Sequence, residues 1–200
     1  MIKKPANWDS VPEMTDRKKL PVGAYICKVQ SVKTADTSFG SQLLVAFDIV
    51  EGEYAGFYQA DFSHNQNSDK RWRGVLRQWI PMDNGTPNDE RTKSYFKGFV
   101  NAFERSNPGY KWNWLETSLV GKTIGILYRN EEWEYEGKTG WSARPFRALA
   151  TDIVRSGDFS LPKEKPLHGD SYEAPQAAPM AATTDTMTGY VQVTDDDLPF

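Results

Sequence analysis

Residues 119–154 read LVGKTIGILYRNEEWEYEGKTGWSARPFRALATDIV, and this stretch decides the fold class. Apolar and polar residues alternate on both sides of a central EGKTG, which is typical of two strands joined by a turn. The pattern predicts a long hairpin with arms at 119–135 and 139–152 and a turn at 136–140. This part of the chain is therefore expected to be β-structure.

Three earlier segments carry a strand-like pattern. LPVGAYICKVQSVKTAD (20–36) and SQLLVAFDIVEGEYAG (41–56) predict two strands, and FGS (39–41) supplies the turn between them. FYQADFS (57–63) predicts a third strand. The second strand should turn one fully apolar face toward the core, and that face consists of Leu43, Val45, Phe47 and Ile49.

The centre of the chain predicts one helix and leaves one segment open. KRWRGVLRQWI (70–80) fits either a short strand or a helix, and its period does not separate the two. TKSYFKGFVNAFERSNPGY (92–110) predicts a helix that Thr92 caps and Asn-Pro-Gly ends. The apolar stripe expected on this helix consists of Tyr95, Phe96, Phe99, Val100 and Phe103.

Five strands with a helix between the third and the fourth predict a mainly β fold. The arrangement fits an OB-type five-stranded antiparallel barrel, and another antiparallel α+β arrangement stays open. The predicted barrel domain covers residues 20–160 and follows an N-terminal extension at 1–19.

The last forty residues differ from the rest in composition and charge. Residues 161–200 contain five prolines and only six Leu, Ile, Val or Phe, which predicts a disordered linker at 161–194 and an acidic tip at 195–200. Residues 1–160 hold 22 Lys+Arg against 20 Asp+Glu, a net +2, whereas residues 161–200 hold 2 against 7, a net −5. An acidic tail on a slightly basic body is the expected organisation.

Sequence motifs for catalysis and metal binding are missing. Cys27 is the only cysteine, so no internal disulfide and no CxxC zinc motif can form. His64 and His168 are the only histidines, and GKT at 121–123 lacks the rest of a phosphate-binding loop. We therefore expect no catalytic residue, metal or cofactor. The sequence also lacks the apolar runs of a signal peptide and of a membrane helix, so it predicts a cytoplasmic protein with no membrane partner.

Aromatic rings interleaved with cations favour binding of single-stranded nucleic acid, because bases stack on flat rings and phosphates follow positive charge. Two segments, KRWRGVLRQW (70–79) and the predicted hairpin, combine such residues. The candidate DNA-binding residues are Lys70, Arg71, Trp72, Arg73, Arg77, Trp79, Arg129, Trp133, Lys138, Trp141, Arg144 and Arg147. Tyr135 is a further ring in the hairpin. Trp72, which follows a polar loop, is the first candidate for an exposed ring, and Trp141 is the second. The body's small net charge argues against binding of duplex by electrostatics alone.

The end of the chain, TDDDLPF, combines negative charge with an apolar terminus. It resembles the C-terminal tip of bacterial and phage single-stranded DNA-binding proteins, in which an acidic run precedes a proline and a final phenylalanine. The matching residues are Asp195, Asp196, Asp197, Leu198, Pro199 and Phe200. Leu198 stands where the bacterial family more often has isoleucine. The resemblance implies that the tip recruits replication, recombination and repair proteins.

The body resembles a group of phage and prophage proteins of Gram-positive hosts. The similar segments include LLVAFDIVEGEYAGFY (43–58), FKGFVNAFERSNPGYKW (96–112) and VRSGDFSLP (154–162), and they belong to a match over most of residues 20–165. Together the two resemblances imply a phage-encoded single-stranded DNA-binding protein in the host cytoplasm. A phage adaptor that binds proteins without DNA and a strand-annealing recombination factor stay as alternatives, and a homo-oligomer is left open.

Overall fold

The computed structural model describes residues 2–10, 18–65 and 67–167. Its strands are β1 (Ala24–Thr37), β2 (Gly40–Ile49), β3 (Val75–Trp79), β4 (Thr123–Tyr135) and β5 (Lys138–Leu149). Its α-helices are α1 (Phe57–His64), α2 (Asp89–Ser106) and α3 (Thr151–Ser156), with short 3₁₀ turns at Trp8–Ser10 and Glu116–Leu119. The predicted mainly β class is confirmed.

The strands form one antiparallel sheet in the order β3-β2-β1-β4-β5. Within the described residues, hydrogen-bonded pairing does not join β3 to β5, so the expected closed barrel is not formed. The two edge strands nevertheless approach each other, with Cα atoms within 8 Å, because the sheet curls. The result is an open, strongly curved sheet.

The predicted hairpin is present as β4 and β5. Tyr135 pairs with Lys138, so only Glu136 and Gly137 form the turn, and residues 138–140 of the predicted turn belong to β5. Both turn residues have positive φ, 49° and 73°, as a two-residue turn matching the twist of the strands requires. Glu136 therefore adopts a conformation that is uncommon for a residue other than glycine.

The apolar face predicted for the second strand is confirmed. Leu43, Val45, Phe47 and Ile49 are at most 3% exposed and belong to a single hydrophobic cluster. Burial of such side chains stabilises the fold by roughly 1.5–3 kcal/mol each relative to the exposed state.

The strand predicted at 57–63 is wrong, because these residues form α1. Gly56, with φ 75°, lies in the turn directly before the helix, and the Asp48 carboxylate accepts the N–H groups of Tyr58 and Gln59 at 2.9 and 3.1 Å. This acceptor comes from β2, ten residues earlier, and satisfies first-turn donors that a helix leaves unpaired. A local alternation pattern cannot reveal it.

The segment left open at 70–80 contributes a strand, β3, which pairs with β2 from Val75 opposite Ala46 to Trp79 opposite Gln42. Gly74 precedes it at a close approach. A Cβ at this position would lie 2.5 Å from the Phe47 carbonyl oxygen and 2.6 Å from the Tyr58 ring, so glycine is required there.

The predicted central helix is present as α2, with two corrections at its start. The helix begins at Asp89, so Thr92 is not its cap and instead donates its buried hydroxyl to the Asp89 carbonyl. Phe96, Phe99 and Phe103 are buried as expected, and Val100 is half-buried, but Tyr95 is 50% exposed and lies outside the packed stripe. The helix packs against β3, β4 and β5.

The described start of the predicted linker lies along β4. Lys165 accepts the Glu132 N–H and donates its own N–H to the Asn130 carbonyl, both at 2.9 Å. The Glu132 carboxylate also accepts the Leu167 N–H at 3.1 Å. The segment up to residue 167 is therefore attached to the hairpin, and the rest of the predicted linker, with the tip at 195–200, lies outside the described residues.

Candidate nucleic-acid interface

The hairpin presents two chemically different faces. Tyr128 points into the hydrophobic core, so its neighbour Arg129 points outward, and directly paired residues of β4 and β5 share a face. We call the outward side of the hairpin the basic face. Its residues are Arg129, Glu131, Trp133, Tyr135, Lys138, Gly140, Ser142, Arg144 and Arg147.

Charge is segregated between the two sides of this hairpin. The basic face carries four cations and one carboxylate, that of Glu131. The opposite side carries Glu132 and Glu134 and contains none of the hairpin's cations. Phosphate groups would therefore be attracted to one side and repelled from the other.

The rings of the basic face lie among these cations. Trp133 is 38% exposed and Tyr135 is 67% exposed, while Phe146 at a β-bulge in β5 is 36% exposed. The Arg129 guanidinium lies 4.4 Å from the centre of the Phe146 ring and is paired with Glu131 at 2.7 Å. Arg129 is thus held in place, whereas the exposed Arg144 and Arg147 form no ion pair within the described residues.

Trp141 does not lie with the other candidate residues of the hairpin. It is opposite Glu132 and therefore points to the side away from Trp133, although its 41% exposure agrees with the expectation of an accessible ring. The structure thus brings together Arg129, Trp133, Lys138, Arg144 and Arg147 and separates Trp141 from them.

The first candidate for an exposed ring, Trp72, is instead half-buried. Its indole N–H donates to the carbonyl oxygens of Phe47 and Gly74 at 3.0 and 3.2 Å. Its ring packs beside Tyr58 and Phe62 against the core. The expectation that Trp72 is exposed is wrong, because its indole N–H is bonded to the carbonyl oxygens of Phe47 in β2 and of Gly74 just before β3.

The cations around Trp72 differ in how firmly they are held. Lys70 lies 4.5 Å from the centre of the Phe62 ring, and Arg73 approaches Asp61 at 3.6 Å. Arg71 is exposed. These three residues line the loop before β3.

Arg77 and Trp79 are two residues apart and share the outward side of β3, since Leu76, the residue before Arg77, points to the core. Arg77 is exposed and Trp79 is half-buried beside Gly40 and Met82. Because β3 and β5 approach each other, this side of β3 adjoins the basic face across the open seam of the sheet.

In the hydrogen-bonded ladder, Trp79 and the β4–β5 turn are level with opposite ends of β1. Trp79 pairs with Gln42 near the β1–β2 turn, which follows the last residue of β1. The β4–β5 turn extends beyond Ala24, the first residue of β1, which pairs with Leu127. Because β3 and β5 approach each other, a DNA strand that contacted both groups would cross the seam between these two β-strands.

Three strongly exposed rings were not predicted as site residues. Trp114 is 74% exposed, Phe39 at the β1–β2 turn is 64% exposed and Trp8 is 61% exposed. The Trp-Asn-Trp spacing at 112–114, directly after a helix-ending Asn-Pro-Gly, is the signal that could have indicated a loop with an exposed ring.

The thiol of Cys27, the single cysteine of the sequence, is buried. Burial, with the nearby Asp48 carboxylate as a smaller cause, raises the pKa of the Cys27 thiol well above its usual range, so the thiolate is not formed at neutral pH. The described residues contain no group of three metal-ligating side chains. None of the helices in this described part combines the length and apolar character needed to cross a membrane.

No family model matches the chain, and no curated protein matches it.

Proposed function

We propose that the chain is a non-enzymatic protein that binds single-stranded DNA across the basic face and the outward side of β3. The observation that carries this proposal is the segregation of charge on the hairpin, with cations and accessible rings on one side and carboxylates on the other. Cations neutralise phosphates, and rings provide stacking surfaces that every base can use.

The strand order supports an open form of the OB arrangement. Pairing the edge strands β3 and β5 would close the sheet β3-β2-β1-β4-β5 into a five-stranded barrel, with α2 inserted between strands 3 and 4. OB-type barrels bind oligonucleotides on the face of strands 2 and 3 and on the loops that join strands 1–2 and 4–5. Trp79, Phe39 and the β4–β5 hairpin occupy the corresponding places.

The proposal includes recruitment of other proteins by the tip, residues 195–200. We assign the protein to phage DNA replication or recombination in the cytoplasm of the host cell, on the strength of the resemblance of its tip and body. Removal of residues 195–200 is expected to leave DNA affinity unchanged or higher, because the tip's carboxylates compete with phosphates, and to abolish partner capture.

A direct test compares two tryptophans of similar exposure on opposite sides of one hairpin. Fluorescence anisotropy with a labelled oligo-dT should show that Trp133→Ala weakens binding by about 5- to 100-fold. Trp141→Ala is the matched control and should change the affinity little. Equal losses in both variants would contradict the assignment of the basic face.

The same titration tests the class of ligand. Single strands should bind far more tightly than a duplex of the same length, and the affinity should fall with added salt. Arg144→Ala combined with Arg147→Ala should reduce the steepness of that salt dependence. Equal affinity for duplex and single strand would contradict the proposal, and absence of any DNA binding would favour a protein-binding adaptor.

A further inference from the structure

Trp114, in the connection between α2 and β4, is the most exposed of the described tryptophans, at 74%. Its ring stands nearly parallel to the ring of Phe96 but offset from it, with ring centres 6.2 Å apart and planes inclined by 18°. Trp112 approaches edge-on, at 6.3 Å and 61°. The indole thus contacts two neighbouring rings while most of its surface stays accessible.

The backbone that presents this ring is strained. Trp114 has φ 63°, a left-handed conformation that is a genuine outlier for a bulky side chain. Beside it, the enclosed Nε1–H of Trp112 has no acceptor within the described residues. Strained backbone and unpaired buried donors are uncommon and concentrate at functional sites. Two independent observations therefore single out residues 112–114.

Local contacts hold the segment in this conformation. The Glu104 carboxylate accepts the Trp112 N–H at 3.1 Å and pairs with Lys111 at 2.7 Å. The Asn113 side chain accepts the Leu115 N–H at 3.2 Å. The two Glu104 contacts attach the loop to α2 before the exposed ring, and the Asn113 bond closes a local turn around it.

The loop that carries Trp114 is connected to β3 through α2. Phe96 belongs to the first half of α2, and this half is joined to the loop after β3 by the ion pair between Lys93 and Asp83, at 2.9 Å. Trp79 is the last residue of β3, and α2 packs against β3. Trp114 therefore contacts a helix that also packs against the strand of Trp79.

We propose that Trp114 is a base-stacking platform that holds a nucleotide of the single strand outside the sheet. This inference rests on the proposed function and extends the binding path past the sheet. Exposed Lys97 follows Phe96 on α2, and exposed Asn113 precedes the ring, so a cation suited to phosphate and an amide suited to base edges are present in the same segments. An accessible aromatic ring that contacts neighbouring rings is a surface on which an unpaired base can stack.

Photocrosslinking of the wild-type chain to an iodouracil-substituted oligo-dT, followed by mapping of the modified peptides, tests this assignment. We expect an adduct on Trp114. Trp114→Ala should weaken binding of a long oligo-dT by about 5- to 100-fold and reduce the number of nucleotides covered per protein. Trp114→Phe keeps a ring and should restore most of the affinity. Trp8→Ala removes another exposed indole and should leave binding unchanged.

The outcomes separate this inference from the proposed function. DNA binding that depends on Trp133 but not on Trp114, with no adduct on Trp114, would overturn the inference and leave the function intact. Unchanged binding together with a shift of Trp114→Ala to a smaller oligomer in light scattering would show that the ring forms a protein interface, which also overturns it. Failure of the wild-type chain to bind any single strand would overturn both.

Discussion

Gly140 lies directly opposite Trp133 in the β4–β5 hairpin, and the indole covers the space that a side chain at 140 would occupy. A Cβ on residue 140 would lie 2.7 Å from Cζ2 and 2.9 Å from Cε2 of Trp133. The absence of a side chain on one strand therefore sets the position of the ring on the other. A ring placed in this way across a strand glycine also shields the backbone there.

Gly140→Ala should displace the Trp133 ring and weaken binding of oligo-dT roughly fivefold or more, because part of one stacking contact is lost. The free energy of unfolding should change by less than about 1 kcal/mol, since the hairpin end is largely exposed. Anisotropy titration and urea unfolding measure the two quantities. Gly98→Ala is the matched control, because a Cβ there meets nothing within 4 Å and DNA binding should not change.

The buried hydroxyls of Tyr58 and Tyr128 lie 2.9 Å apart and are expected to be energetically coupled. Either single change to Phe leaves the other hydroxyl without this partner and should lower the free energy of unfolding by about 1–3 kcal/mol. The double change should cost less than the sum of the two, which urea unfolding of all four proteins would measure. Strict additivity would mean that the bond contributes nothing to stability.

Asp48 is expected to determine whether residues 57–64 are helical. Its carboxylate accepts two first-turn N–H groups of α1, so Asp48→Ala should destabilise the protein by about 2 kcal/mol and increase hydrogen exchange in α1. Asp69→Ala, a change of the same kind at an exposed loop position, should have little effect on either measurement. Protection of α1 that persists in Asp48→Ala would show that packing alone specifies the helix.

Stability is expected to fall in alkaline solution. Burial, with smaller contributions from Tyr54 and Glu53, raises the pKa of Tyr25 to about 12. Burial also raises the pKa of Tyr58 and of Tyr128 above the usual value. Between about pH 10 and about pH 12 the unfolded chain loses these protons while the folded chain keeps them, so the free energy of unfolding decreases as pH rises.

Urea unfolding across this range would measure the alkaline loss, and Tyr25→Phe should make the loss smaller because one titrating group is removed. The Cys27 thiol, which burial likewise keeps protonated, adds a contribution that begins near its unfolded pKa of about 9. A stability that is constant up to about pH 12 would contradict the burial of all these groups.

Strand period was sufficient to predict β4, β5 and the core face of β2, because each depends on neighbours along the chain. The nature of α1 and the burial of Trp72 could not be predicted, since one depends on a carboxylate from β2 and the other on the Phe47 carbonyl. Both partners are distant in sequence and carry no local pattern.

The sides of the hairpin on which Trp133 and Trp141 lie could not be predicted, because the sequence did not define the length of the turn. A two-residue turn at Glu136 and Gly137 places Trp141 opposite Glu132, whereas the predicted five-residue turn left the pairing undefined. Because side chains alternate between faces and paired residues share a face, a shift of one residue in this register would place both tryptophans on the same side. The candidate site was thus predicted in composition but not in geometry.

The attachment of Lys165 to β4 has a mechanical consequence. A pulling force on the chain beyond residue 167 is borne first by the Glu132 contact to Leu167 and by the two backbone bonds of Lys165. Tension applied from that direction therefore enters the molecule through the hairpin that carries Trp133 and Arg144, and it loads this hairpin before any other strand.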